Sequence, residues 1–266
     1  MLWSSIPRAC CFSLSARIDR IMNQSTAPDS PHRWLAIPLV VAASASLVLL
    51  RLSGDGLAAS IGLDGSPVAT EIAYQITSLG LALVVLALAY ALAPSNLADF
   101  AGPGDIGAEV EPARWMGLDP DPEETWRQIG RNFAVIITLV TAIAVFFQVV
   151  RGGEPSPSHL LSHLHWVVGF ALVNSFVEES ICRLSLVAPL SEIASRRTIY
   201  LSSAAIFGGV HYFGTPGGLP GVLLAGFLGW FLAKSVVETR GIFWAWLIHF
   251  LQDVVIFAGL FLATGA

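Results

Sequence analysis

The apolar residues of this chain fall in long blocks, separated by polar stretches or stretches rich in glycine and proline. Most blocks approach the length of about 20 apolar residues that an α-helix needs to cross a bilayer. The pattern therefore predicts an all-α fold, a polytopic membrane helical bundle with about seven transmembrane helices. The predicted spans cover residues 34–50, 72–93, 132–150, 166–189, 198–213, 222–237 and 242–264.

The separating stretches divide the chain into three predicted parts. Residues 1–33 are polar and bear arginines, and we expect a disordered N-terminal tail there; Met22 would serve as a start as well as Met1. Residues 34–150 hold N-terminal transmembrane helices and an acidic loop at 94–128. Residues 151–266 form a transmembrane core that carries the polar side chains discussed below.

The composition agrees with a membrane protein. Of the 266 residues, 55% are hydrophobic and 12% are charged, whereas soluble domains carry about 25% charged residues. The net charge of −5 arises largely from the acidic loop, and the chain is not basic enough to bind nucleic acid.

We expect membrane lipids and a membrane-associated protein or peptide as partners. The three cysteines are an odd number and indicate no disulfide framework.

The basic residues orient the predicted spans. Of the 14 lysines and arginines, eleven lie on one side of the predicted bilayer, two lie on the other, and Arg183 lies within a span. Positive charge accumulates on the cytoplasmic side of membrane proteins. We therefore expect a multi-pass integral protein of a bacterial-type cell membrane, with its N-terminus in the cytoplasm.

Several ionisable residues lie inside the predicted spans. Such a residue costs about 2.5–3.5 kcal/mol at the centre of a helix and usually faces the interior of the bundle at a functional site. The fourth span carries a pair of glutamates and an arginine, the fifth carries a histidine, and the seventh carries a histidine and an aspartate. These residues are Glu178, Glu179, Arg183, His211, His249 and Asp253.

Helical spacing predicts which of these side chains share a face. Glu179 and Arg183 stand four residues apart and can form an ion pair. Glu178 is turned about 100° away from that face, and Asn174, one turn earlier, can hydrogen-bond to it.

The same spacing applies to the other two helices. His249 and Asp253 also stand four apart, so the last helix can present both to one point. Phe207 lies one turn before His211 and could form a wall of the site. His211 lies near the end of its span, so meeting Glu178 requires the loop at 214–221 to dip inward, which irregular backbone tolerates beside a wet cavity.

A glutamate, two histidines and a further carboxylate are suited to hydrolysis. Glu178 would activate water, a histidine would orient it or donate a proton, and the remaining groups would hold the oxyanion. The same donors, His211, His249 and Glu178, could instead bind zinc. A non-catalytic scaffold or immunity protein and a proton or ion transporter are the alternative functions. The candidate catalytic residues are Glu178, Glu179, His211, His249 and Asp253, and the supporting residues are Asn174, Arg183 and Phe207.

Three motifs on successive spans resemble those of a known family. They are E-E-x-x-x-R at 178–183, F-x-x-x-H at 207–211 and H-x-x-x-D at 249–253. Together they resemble the CPBP family of intramembrane proteases, which includes CAAX prenyl protease 2 and bacteriocin-processing or immunity relatives. The resemblance covers about residues 166–264.

The resemblance implies roles for individual residues. Glu178 corresponds to the water-activating glutamate and His211 and His249 to the motif histidines, while Glu179 and Arg183 look like scaffold. The last motif position is Asn in the prenyl protease branch and can be Asp in bacterial relatives. Since an ionised carboxylate cannot donate to an oxyanion, Asp253 is expected to orient a neighbour or bind metal. The resemblance also implies a CAAX-type substrate and leaves the metallo- and glutamate-type mechanisms open.

Overall fold

The computed structural model describes residues 31–63 and 65–263. The predicted disordered tail lies outside this range apart from its last three residues, and so do Cys10, Cys11 and both proposed starts. Within the described range the regular elements are helices, and no strand is formed beyond two isolated bridges in the acidic loop. The predicted all-α class is confirmed.

The helices are numbered here in chain order. They are α1 (Ala36–Ser60), α2 (Pro67–Leu92), α3 (Pro94–Phe100), α4 (Trp126–Val145), α5 (Pro157–Ser162), α6 (Leu164–Glu179), α7 (Ser185–Leu190), α8 (Arg196–Val210), α9 (Gly218–Thr239) and α10 (Phe243–Ala263). Short π-helical segments follow α4 at Phe146–Val150 and join α6 to α7 at Ser180–Leu184.

Five helical segments in the described range are long and apolar enough to cross a membrane. They are Pro31–Gly54, Pro67–Leu92, Trp126–Val150, Gly218–Thr239 and Phe243–Ala263. Each overlaps one of the seven predicted spans. The backbone of Gly54, with φ of 39°, ends the first of them inside α1.

The other two predicted spans are helical but irregular, and they carry Glu178 and His211. The fourth corresponds to α6, the π-helical segment and α7, with Pro189 inside the last turn. The fifth corresponds to α8, which has only 15 residues because a 3₁₀ turn begins at His211. At about 1.5 Å per residue, α8 is shorter than the roughly 30 Å hydrocarbon layer.

Helix α8 packs closely against α9 because glycines line their contact. A Cβ atom on Gly208 would lie 2.8 Å from the carbonyl oxygen of Val222, and one on Gly229 would lie 2.8 Å from that of Ser203. Small residues allow helix backbones to approach each other in membranes. This contact positions the end of α8, and therefore His211, beside the bundle interior.

The acidic loop packs on the end of α9 instead of projecting freely. Val110 and Leu118 are buried with the core, although Asp121 and Glu123 are exposed. Lys234 is almost fully buried, donates to the carbonyl oxygen of Glu111 at 2.6 Å and pairs with Glu238. The Trp126 indole N–H donates to Glu238 at 2.9 Å, which ties the start of α4 to the same point.

Candidate active site

Helix α6 carries the glutamate pair, and it changes to a π-helix directly after Glu179. Single π-helical turns within α-helices occur frequently at functional sites. The predicted ion pair is present, since Arg183 Nη1 lies 3.3 Å from Glu179 Oε1 and both side chains are buried. Arg183 also lies over the ring of Phe207, with its Cζ atom 3.8 Å from the ring centroid.

Glu178 lies at the centre of the cluster. Its Oε1 atom accepts a hydrogen bond from Asn174 Nδ2 at 3.1 Å, and the same amide donates to Asp253 Oδ2 at 3.1 Å. Its Oε2 atom lies 3.6 Å from His249 Nε2 and 3.9 Å from His211 Nε2. Three helices therefore bring these side chains together, and Asn174 bridges the two carboxylates.

His249 is held by the second glutamate of the pair. Its Nδ1 atom lies 2.7 Å from Glu179 Oε1. A carboxylate oxygen accepts, so Nδ1 carries the proton of this bond. The Nε2 atom faces the opposite way, towards Glu178 and Asp253 Oδ1, the latter at 3.7 Å. Glu179 thus orients the imidazole that approaches Glu178.

His211 is held by α8, the helix that directly precedes it. Its Nδ1 atom lies 2.7 Å from the carbonyl oxygen of Phe207, which can only accept, so Nδ1 donates and the neutral ring leaves Nε2 as an acceptor towards Glu178. The Phe207 ring packs on both histidines, with centroid distances of 4.2 Å to His211 and 5.5 Å to His249. Phe207 therefore forms the wall that the spacing predicted.

Two cavities adjoin this cluster. One, of about 140 Å³, is lined by Asn174, Glu178, His211 and Asp253 together with Gly214 and Thr215 of the loop after α8. The other, of about 300 Å³, is lined by His211, His249 and Asp253 on one side and by residues of α4 and α9 on the other. The loop after α8 thus reaches the cavity that contains Glu178.

Sequence reasoning missed the contribution of α1 and α2 to this site. Arg51, Glu71 and Tyr74 line the cavity that contains Glu178. In the sequence, Arg51 follows the first apolar block and Glu71 precedes the second, and charged residues commonly mark the ends of a span. No sequence motif connects these two residues with those of α6. Their only signal in the sequence is opposite charge at facing ends of the first two spans.

The donors proposed for zinc meet, but not as a preformed metal site. Among the residues that the structure describes, no group of three or more His, Cys, Asp or Glu side chains is arranged to hold a metal ion. Zinc binding by His211, His249 and Glu178 stays a prediction.

The part of the chain that contains these side chains matches a known protein family. Residues 160–255 match the family model of Rce1-like type II CAAX prenyl endopeptidases. The matched segment contains all three motifs, so the resemblance to CPBP intramembrane proteases is confirmed. The match to the Rce1-like endopeptidases supports a protease embedded in a membrane. No curated protein and no solved structure gives a significant match to the chain.

Proposed function

We propose that this protein is an intramembrane endopeptidase that hydrolyses a peptide bond in a membrane-associated or lipidated, CAAX-like protein or peptide. The observation that carries the proposal is the position of Glu178 Oε2, which faces the Nε2 atoms of both histidines at 3.6 and 3.9 Å. These separations exceed a direct hydrogen bond, and polar groups more than about 3.5 Å apart can be bridged by a water molecule.

Glu178 and His211 would prepare the attacking water. Because His211 Nδ1 donates to the carbonyl of Phe207, its Nε2 atom accepts one water hydrogen while Glu178 Oε2 accepts the other. Glu178 then removes a proton as the water oxygen bonds to the carbonyl carbon of the substrate. Asn174 holds the other oxygen of Glu178, which keeps the base aimed at the water.

His249 would stabilise the charge that develops on the substrate. When its ring carries both protons, Nδ1 donates to Glu179 and Nε2 donates to the carbonyl oxygen as that oxygen becomes negative. The C–N bond then breaks, and Glu178 returns its proton to the leaving amine. Asp253 would hold Asn174 and His249 in place, because its Oδ2 atom accepts from Asn174 and its Oδ1 atom faces His249.

The direct test is cleavage by purified full-length protein in vesicles, with Glu178→Gln as the diagnostic variant. We expect Glu178→Gln to abolish cleavage of a farnesylated CAAX peptide while insertion and thermal unfolding stay as in the wild type. The matched control is Glu123→Gln, which changes an exposed acid of the loop. Full activity in both Glu178→Gln and His211→Ala would refute the protease and favour the scaffold or immunity function. A proton flux that Glu178→Gln removes, without peptide cleavage, would favour the transporter.

A further inference from the structure

The cavity that contains Glu178 has a cationic side chain on the wall formed by α1. Among the described residues that line this cavity, Arg51 is the one arginine or lysine, and it shares the cavity with the carboxylates of Glu71, Glu178 and Asp253. None of the proposed catalytic steps uses Arg51. It also lies outside the segment that matches the Rce1-like family, so the match assigns it no role.

The residues around Arg51 fix the position of its guanidinium group and leave N–H donors that can bind a second carboxylate. Arg51 Nη1 pairs with Glu71, whose other oxygen accepts from Gln75 Nε2 at 2.8 Å. The guanidinium lies 5.1 Å from the centre of the Tyr74 ring. The Arg51 side chain is 45% exposed, whereas that of Glu71 is 11% exposed. Glu71 uses one of five N–H donors, and the planar fork suits bidentate binding of another carboxylate.

An apolar cavity lies on the other side of Arg51. It has a volume of about 490 Å³ and shares Arg51, Glu71 and Tyr74 with the cavity that contains Glu178. Its walls include Leu57, Phe170 and other aliphatic and aromatic side chains. A cation between a hydrolytic centre and an apolar space suits a peptide end that combines a carboxylate with an apolar side chain.

We propose that Arg51 is a specificity-determining residue that binds the free C-terminal carboxylate of the substrate, whose last side chain enters the apolar cavity. This inference rests on the proposed peptidase function. A CAAX sequence ends its protein, so its carboxylate lies three residues after the modified cysteine, which is a span of about 10 Å in extended conformation. Without a cation, the cavity carboxylates would repel this terminus.

The experiment compares two fluorescent, S-farnesylated peptides ending in Cys-Val-Leu-Leu, one with a free C-terminal acid and one with an amide. Their binding is measured on full-length Glu178→Gln protein, and their cleavage is measured on protein with Glu178 intact. We expect the acid to bind and to be cleaved at least about tenfold better than the amide, since a charge-assisted hydrogen bond contributes about this much. Arg51→Gln in either background should bring the ratio of acid to amide, for both binding and cleavage, close to one.

Two further variants separate charge recognition from loss of structure. Arg51→Lys keeps the charge but not the fork, so we expect it to retain part of the preference. Arg33→Gln removes an arginine that pairs with Glu192 and does not line the cavity, and it should leave the preference unchanged. Equal binding of acid and amide to protein that retains Arg51, or a preference that survives Arg51→Gln, would overturn the role of Arg51. Arg51-dependent acid binding without any cleavage would support that role and refute the peptidase.

Discussion

Glu179 holds His249 through a 2.7 Å contact between Oε1 and Nδ1, and both side chains are almost fully buried. The second glutamate of the pair therefore does more than neutralise Arg183, which was the role that spacing within one helix predicted. It connects α6 to α10 and determines which nitrogen of His249 faces Glu178. This relationship gives Glu179 a positioning role in the proposed reaction.

We predict that Glu179→Gln lowers kcat by about a hundredfold or more, because loss of an orienting carboxylate disturbs the tautomer and placement of a catalytic histidine. KM should change little, since Glu179 does not line either cavity beside the cluster. Steady-state cleavage kinetics check this split. In the His249→Ala background the same substitution should add almost no further loss, because the two residues act as one unit. Equal losses in both backgrounds would contradict the positioning role.

Spacing along single helices could predict only part of this site. The contacts from Asn174 to Glu178 and between His249 and Asp253 follow from positions four residues apart, and both are present. The contact between Glu179 and His249 joins residues 70 positions apart, and it depends on how α6 packs against α10. The pattern of apolar residues along the chain does not determine how these two helices pack.

In the fold, too, the features that depend on nearby residues were predictable, and those that depend on tertiary packing were not. Long apolar blocks were sufficient to predict the five long apolar helices, since their length and composition are local properties, whereas the short helices α3 and α5 lie outside the predicted spans. The π-helical segment after Glu179 and the 3₁₀ turn at His211 were not predicted, because the pattern of apolar residues does not specify the type of helix. Arg51 was missed because only tertiary packing brings α1 beside Glu178.

The close contact between α8 and α9 gives a second prediction. A Cβ atom on Gly208 would lie 2.8 Å from a backbone oxygen of α9, whereas one on the adjacent Gly209 would meet nothing within 4 Å. We expect Gly208→Ala to destabilise the protein by about 1–3 kcal/mol, as overpacking does, and to lower cleavage by displacing His211. Thermal unfolding and cleavage assays measure both effects. Gly209→Ala is the matched control and should behave as the wild type; similar effects of the two substitutions would refute the proposed contact.

A third prediction concerns the attachment of the acidic loop to α9. Lys234→Met leaves Glu238 buried without its cation, and removing one member of a buried ion pair costs about 3–5 kcal/mol. We therefore expect a lower unfolding temperature and faster proteolysis within residues 101–125.

The control for this loop is an ion pair on its exposed surface. Arg114→Gln breaks the exposed pair with Asp119, which has an Nε–Oδ1 distance of 3.0 Å, and exposed pairs contribute only about 0–1 kcal/mol. Its unfolding temperature should remain close to that of the wild type. If Lys234→Met is no more destabilising than Arg114→Gln, the loop is not held by the buried pair.

The last prediction distinguishes an orienting role of Asp253 from a role that requires its charge. One oxygen of Asp253 accepts from Asn174, and the other faces His249 Nε2 at 3.7 Å. In Asp253→Asn the amide oxygen can still accept from Asn174, so the bridge to Glu178 persists and cleavage should fall by no more than about tenfold, the value of one hydrogen bond. Asp253→Leu has a similar volume but no acceptor, so Asn174 loses one partner and Glu178 loses its alignment. We expect cleavage to be lost in Asp253→Leu, and a loss as severe in Asp253→Asn would show that the reaction needs a carboxylate at this position.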